Sequence, residues 1–207
     1  KYKIKHLIFA STSSVYGNSK RFPLKESVNT DKPLSFYAAS KKSNEIMAYS
    51  YSNIYKIPST AVRFFTVYGP FGRPDMALFK FTNKILNNKK INLFNNGKHI
   101  RDFTYIDDII DGLLKLINTP PKKIIPYQVY NIGNGNPQKL VKYLREIEKN
   151  LNKKAKIKKI PLQKGDVIKT HADIKLIKKK VSYNSNTDID EGIKIFIEWY
   201  KKYYNLD

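Results

Sequence analysis

Two side chains in Tyr37-Ala-Ala-Ser-Lys41 have the types and spacing to act as one chemical unit. A phenol and an ammonium four residues apart lie on one face of a helix. A nearby cation favours the phenolate, so the pair makes a base. A free tyrosine titrates near ~10, and each unit of depression takes about 1.4 kcal/mol of differential stabilisation. Lowering the phenol by ~3 units therefore requires about 4 kcal/mol, from Lys41 together with a second positive charge. The spacing alone also fits a surface Tyr and Lys on an ordinary helix, since the chain is rich in both. The surrounding sequence decides between the two.

Several elements must place this pair. His6-Leu7-Ile8-Phe9-Ala10 is a short apolar run, the pattern of a buried parallel strand. It ends in Ser11-Thr12-Ser13-Ser14-Val15-Tyr16-Gly17. Hydroxyls at the carboxyl end of such a strand sit where open α/β sheets bind ligands. Ser35 suits the N-cap of the helix carrying Tyr37 and Lys41, and Pro33 keeps the preceding chain extended. Residues 59–67 read as the next strand, running into the turn Tyr68-Gly69-Pro70-Phe71-Gly72. Periodicity then predicts a helix over 76–88 with Ala77, Phe81, Ile85 and Leu86 on one side, a strand over 91–94 and a turn at Asn95-Asn96-Gly97. Extended chain over 100–104 leads into a helix over 105–118 with Ile109, Ile110, Leu113, Leu114 and Ile117 facing inward. A strand over 128–133, a helix over 140–151, a strand over 157–160 and a helix over 189–204 complete the pattern.

Five stretches carry a family resemblance. They are Thr12-Ser13-Ser14-Val15-Tyr16-Gly17, Tyr37-Ala-Ala-Ser-Lys41, Arg63-Phe64-Phe65-Thr66-Val67-Tyr68-Gly69-Pro70, Gly72-Arg73-Pro74-Asp75-Met76-Ala77 and Arg101-Asp102-Phe103-Thr104-Tyr105-Ile106-Asp107-Asp108-Ile109. Together they resemble the extended short-chain dehydrogenase/reductases of the NAD-dependent epimerase/dehydratase type, over roughly residues 6–173. The fourth and fifth stretches are most similar to the UDP-glucuronate 4-epimerase group, which includes capsular polysaccharide epimerases. The resemblance implies an α/β fold: a Rossmann-like doubly wound parallel sheet, truncated in its N-terminal part, with a smaller α/β substrate-binding portion. Residues 1–75, with 99–133 interleaved, would form the C-terminal part of the NAD-binding domain. Residues 76–98 and 134–207 would form the UDP-sugar-binding portion. One feature of that family is missing: no Gly-x-x-Gly-x-x-Gly loop for the cofactor pyrophosphate occurs in the 207 residues. We therefore expect about the first third of the family's length to be absent, and this polypeptide by itself to bind NAD poorly and to be inactive.

The resemblance also implies roles. Tyr37 would be the general base and acid, taking the proton of the sugar 4-hydroxyl as hydride leaves C4, with the nicotinamide charge and Lys41 lowering its pKa. Thr12 would hydrogen-bond the substrate 4-oxygen and relay that proton. Ser11, Tyr37, Lys41, Phe64 and Val67 would contact NAD. Ser13, Ser14 and Thr66 would face the sugar or diphosphate, Arg101 the diphosphate, and Arg73 a C6 carboxylate. Asp75 and Met76 would approach the nucleotide, Asn92 and Phe94 the uracil, and Gln163 and Asp166 the diphosphate and ribose. The reaction implied is inversion at C4 of a UDP-sugar, UDP-glucuronate to UDP-galacturonate, through a 4-keto intermediate. UDP-glucose and UDP-N-acetylhexosamine 4-epimerases, 4,6-dehydratases and a non-catalytic binding member of the fold are the rival readings. Dehydratase relatives carry an Asp-Glu pair where this chain has Ser13-Ser14, which favours the epimerase. A non-catalytic member would be expected to lose Thr12, Tyr37 or Lys41, and all three are present. Relatives dimerise through helices that include the Tyr-Lys helix, so a homodimer is implied for the full-length protein.

Composition excludes little by itself. The net charge of +22 suggests nucleic acid, yet only Arg21, Arg63, Arg73, Arg101 and Arg145 among the 39 basic residues are arginines. Lysines spread along the chain, with abundant Asn and Ile, read as a compositional bias rather than a nucleic-acid surface. With no cysteine there is no disulfide or thiolate chemistry. No apolar run approaches a membrane span, and a cytoplasmic enzyme is the expectation. Asp107-Asp108 invites a metal reading, but two carboxylates in the first turn of a helix complement its dipole, so no metal is expected. His6, His99 and His171 are dispersed and receive no role.

Overall fold

A computed structural model describes residues 3–206. Its main sheet is parallel, in the order β1 (Leu7–Thr12), β2 (Ser59–Phe64), β7 (Tyr127–Ile132). Register places Thr12, Phe64 and Ile132 side by side at the carboxyl end. In β2 all residues before Phe64 are buried, as suits a central strand covered on both faces. Between β1 and β2 runs α1 (Phe36–Tyr55). Ser35 caps it by accepting from the Ala38 amide at 3.2 Å, and Lys56 ends it in a left-handed conformation.

The expected strand over 59–67 breaks at Phe65. Its amide donates to Ile132 O (3.0 Å) and closes the sheet, while its ring packs with Val15, Tyr16, Leu24 and Ala172. The chain then leaves as β3 (Thr66–Tyr68). After α2 (Ala77–Leu86), β4 (Lys90–Leu93) and β5 (Ile100–Arg101) comes β6 (Phe103–Tyr105), which pairs with β3 in parallel. In α2 the buried residues are Leu78, Phe79, Phe81, Thr82 and Ile85, rather than the expected Ala77, Phe81, Ile85 and Leu86. Helix α3 (Ile106–Ile117) packs on the sheet with a narrower stripe than expected. Ile109, Gly112 and Leu116 are buried, whereas Ile110, Leu114 and Ile117 are exposed. Gly112 permits this rotation because the Tyr183 ring lies against it, 2.8 Å from where a Cβ would stand.

Beyond β7 come β8 (Gln138–Lys139), α4 (Leu140–Leu151), β9 (Lys156–Lys159), α5 (Lys175–Val181) and α6 (Ile189–Tyr203). Sequence periodicity does not reveal α5: it has seven residues, three of them lysines in its last turn, and one buried side chain, Ile177. That residue nevertheless joins the core of the main sheet with Val62, Ile109, Leu116, Tyr130, Ile132 and Tyr183. A second core fills the space between α2, α4, α6 and the β3–β6 and β4–β9 pairs. It is aromatic: Phe103 stacks on Tyr143 at 4.1 Å, and Tyr68 meets Phe103, Tyr105 and Tyr143 edge-on. The two expected portions are therefore crossed in both directions, since β3 and β6 pack into the second core and α5 into the first.

Gly192 in α6 lets that helix approach this aromatic group, because a Cβ there would stand 2.4 Å from the Tyr68 hydroxyl. The helix-propensity gain of about 1 kcal/mol from Gly to Ala is smaller than the cost of forcing a side chain into a packed ring cluster. Gly192→Ala is expected to destabilise by about 1–2 kcal/mol net, read as a lower urea midpoint at unchanged slope.

Candidate active site

Thr12 and Lys41 meet at the carboxyl end of β1. Thr12 Oγ1 accepts from the Ser14 amide (3.1 Å) and meets Ser14 Oγ at 3.2 Å, which caps the short turn of residues 13–16. Lys41 Nζ donates to Ala10 O at 3.2 Å, two residues before Thr12. Tyr37 lies one helical turn earlier on α1, its side chain half exposed (52%). Phe64, beside Thr12 in the sheet, and Val67 in β3 are half-buried against the core of the main sheet.

Ser11, assigned to the cofactor from sequence, turns into the protein. It is 2% exposed and its hydroxyl donates to Glu45 Oε1 at 2.6 Å, so the side chain is already spent. The reason is Glu45, a buried carboxylate on α1 that the sequence reading overlooked. Arg63 of β2 donates to it twice, Nε to Oε1 at 2.9 Å and Nη2 to Oε2 at 2.8 Å. Burial pushes the Glu45 carboxyl up, but the Arg63 hydrogen bonds and charge, with Ser11, outweigh this and hold it below the usual range. The Arg63 guanidinium also lies 4.8 Å from the Tyr16 ring centre and donates to Glu26 O. Burial pushes the Tyr16 phenol up to about 12 despite that cation, and its hydroxyl donates to Asn131 Oδ1 at 2.6 Å.

Beside this end of the sheet a cavity of about 470 Å³ is lined by Thr66, Asp75, Met76, Asn92, Phe94, Arg101 and Asp166 among others. A smaller cavity of about 170 Å³ shares Thr66, Arg101 and Asp166 with it and adds Ser13, Ser14 and Ser35. Nine of the eleven expected substrate residues therefore line two cavities that share three residues. The other two lie apart. Arg73 and Asp75 form an exposed ion pair in the 72–76 loop, with Arg73 Nε at 3.0 Å from Asp75 Oδ1, and Arg73 lines only a small recess with Thr66 and Met76. Asp75 holds the Arg73 guanidinium above its ordinary value. Gln163 is exposed and lines none of these cavities; its carbonyl accepts from the Asp166 amide at 3.2 Å, which shapes the Gly165 turn.

Arg101 is fixed by Ile168 O (3.0 Å) and by Asp166 Oδ1 (3.0 Å). Asp166 Oδ2 also lies 3.0 Å from His99 Nε2. His99 was assigned no role, yet it is 3% exposed and lines the larger cavity. Burial and then the Arg101 charge hold it below the usual imidazole range, against the pull of Asp166. The signal was present in sequence: residues two apart on extended chain share a face, so His99 follows Arg101.

Asp102 is the other residue the sequence reading left without a task. Fully buried, it accepts from the amides of Asn134 (2.7 Å), Gly135 (3.1 Å) and Ala172 (2.8 Å). Burial raises its carboxyl and these amides oppose the rise. Asp108 accepts from Ser185 Oγ (2.9 Å) and from the amide and hydroxyl of Thr187, and so ties α3 to the segment before α6.

A parallel sheet with a Tyr-Lys helix and hydroxyls at its strand end defines a short-chain dehydrogenase/reductase type of Rossmann fold. The model of the NAD dependent epimerase/dehydratase family matches residues 1–133, and the chain belongs to that family. It is 45% identical to Protein CapI of Staphylococcus aureus, over 98% of this chain and 65% of that protein. It is 40% identical to a probable UDP-glucuronate 4-epimerase of Rhizobium meliloti, over 97% of this chain and 63% of that one. The solved UDP-glucuronic acid 4-epimerase of Bacillus cereus, in complex with UDP-glucuronic acid and NAD, superposes with a TM-score of 0.91 at 33% identity. That match covers 98% of this chain and 63% of the other. The chain thus spans somewhat under two thirds of the length of these relatives.

Two outcomes are expected. Asp102→Asn puts an amide nitrogen among backbone donors and should cost about 2–4 kcal/mol in urea unfolding at neutral pH. Glu45 has a folded pKa below its unfolded value, so its contribution is complete above pH ~4.5 and is lost as pH falls through the folded value. The stability gap between the native chain and Glu45→Gln, about 3–5 kcal/mol at pH 7, should shrink steadily in urea titrations from pH 5 to pH 3.

Proposed function

We propose that the protein is an NAD-dependent UDP-sugar 4-epimerase that interconverts UDP-glucuronate and UDP-galacturonate. The observation that carries this reading is the adjacency of two cavities: the one at Arg101 and the one at the Ser13-Ser14 turn, next to Thr12 in the chain, share Thr66, Arg101 and Asp166 as walls. A diphosphate held at Arg101 would have its sugar at the hydroxyl-rich strand end. The relatives named for UDP-glucuronate 4-epimerisation, and the solved structure holding UDP-glucuronic acid with NAD, support the choice of sugar.

The residues present fit one half of a dinucleotide. Lys41 at the end of β1 and the half-buried Phe64 beside Thr12 suit the nicotinamide riboside, with Val67 next to them. No Gly-rich turn for the pyrophosphate lies within the 207 residues, and the chain alone is expected to bind NAD weakly and to be inactive. When bound, NAD supplies an acceptor and donor of hydride. Tyr37 removes the proton from the sugar 4-hydroxyl and returns it, and Thr12 carries the hydrogen bond between that oxygen and the phenol. Lys41, four residues on along the same helix, would supply positive charge to that side of α1. Arg101 anchors the diphosphate, with Asp166 near the ribose, while Asn92, Phe94, Asp75 and Met76 border the base. Ser13 and Ser14 would face the sugar. Without an acid pair at 13 and 14, loss of water is not catalysed.

A homodimer in the full-length protein belongs to the same reading, supported by the exposed Met47, Tyr51, Ile54 and Tyr55 on α1. A cytoplasmic setting and no lipid or nucleic-acid partner are also part of it. Among the described residues no helix is long and apolar enough to cross a membrane.

The test uses the full-length gene product with NAD and UDP-glucuronate, followed by NMR of the sugar. UDP-galacturonate is the expected product. Tyr37→Phe should lower turnover by at least about 100-fold with UDP affinity unchanged. Unaltered turnover in that variant, or a 6-deoxy-4-keto product, would refute the assignment.

A further inference from the structure

The stripe Tyr37, Lys41, Glu45 winds along α1 at four-residue intervals, and its lower two members reach successive points of β1. Lys41 Nζ bonds Ala10 O, and Glu45 Oε1 takes the Ser11 hydroxyl. The next residue in β1 is Thr12. Glu45 is also held by both forks of Arg63, whose guanidinium lies under the ring of Tyr16. Tyr16 closes the turn that carries Ser13 and Ser14, and its hydroxyl is fixed on Asn131 of β7. Glu45 and Arg63 are each 3% exposed, so no solvent competes for these bonds. A single buried ion pair thus sits between the helix bearing the phenol and the turn bearing the sugar-facing hydroxyls.

We propose that Glu45 and Arg63 are positioning residues for the epimerisation, setting the rotation of the Tyr37 helix against the Thr12–Ser14 turn. This rests on the function proposed above. Neither side chain lines the cavities around Arg101, so neither touches substrate. Their contribution is angular. A bidentate guanidinium–carboxylate fork is planar and directional, so it fixes rotation about the helix axis as well as distance. An apolar pair of similar volume would hold the helix down but let it turn. Proton transfer between Tyr37, Thr12 and the sugar oxygen tolerates little misplacement, since displacements near 1 Å cost about 100-fold. Diphosphate binding, made by a different part of the molecule, should not register the change.

The experiment compares the native full-length enzyme with Glu45→Gln and with the double variant Glu45→Met/Arg63→Met. The single variant leaves a buried charge unpaired and is expected to lose stability. The double variant removes both charges at similar volume, so it tests geometry in a folded protein. Its melting temperature should stay within a few degrees of the native value, with KM and the Kd for UDP within about 3-fold, while kcat falls at least about 30-fold. Amide hydrogen exchange should quicken in 13–16 and 36–41 and not in β7. A native kcat in the double variant, or a loss of UDP affinity in step with kcat, overturns the proposal. If the native enzyme epimerises no UDP-sugar, the functional reading falls by itself. Hydrogen exchange then decides the positioning claim alone, and unchanged protection in 13–16 and 36–41 overturns it.

Discussion

A carboxylate with no exposure to water, Asp102, holds the two halves of this molecule in one frame. Its oxygens take amides from the end of β7 and from the segment before α5. Its own amide donates to Thr170 Oγ1, and its carbonyl accepts from Thr66, which starts the second core. Each of these backbone groups would be costly to bury alone, and the carboxylate satisfies several at once. Arg101, the next residue back, inherits its position from this arrangement. The Arg101 end of the cavity is therefore located by a side chain that does not line it.

The opposite end of the site is located differently. There the helix is stitched to the edge of the sheet by Lys41 and Glu45, and the hydroxyl-bearing turn by Thr12 and Tyr16. These contacts are polar and specific, whereas much of the outward face of α1 is apolar and uncovered by the described residues. Apolar burial sets which elements meet, and buried polar groups set their angles.

Legibility in the sequence followed this division. The β1, α1, β2 order, Ser35 as cap, and helices α4 and α6 were readable because apolar spacing and capping residues are local signals. The cluster of Thr66, Asn92, Phe94, Arg101 and Asp166 was readable only through the family resemblance, since these residues are up to a hundred positions apart. What periodicity missed were features decided by distant partners. The strand broke at Phe65 because its ring found a third cluster. The inward face of α3 turned because Tyr183 packs on Gly112. Ser11 looked like a ligand-facing hydroxyl, but its hydrogen bond goes to Glu45. Arg63 within an apolar strand was a visible clue, because a buried cation requires a buried anion, but the sequence does not say which carboxylate answers it.

The two apolar cores have no buried side chain in common. One lies in the main sheet and the other beneath the Arg101 cavity. Substitutions that reshape the pocket floor in α2 or β4 leave the core of the main sheet untouched. Drift in the second core can thus reshape the Arg101 cavity while the strand end that carries Thr12 stays as it is.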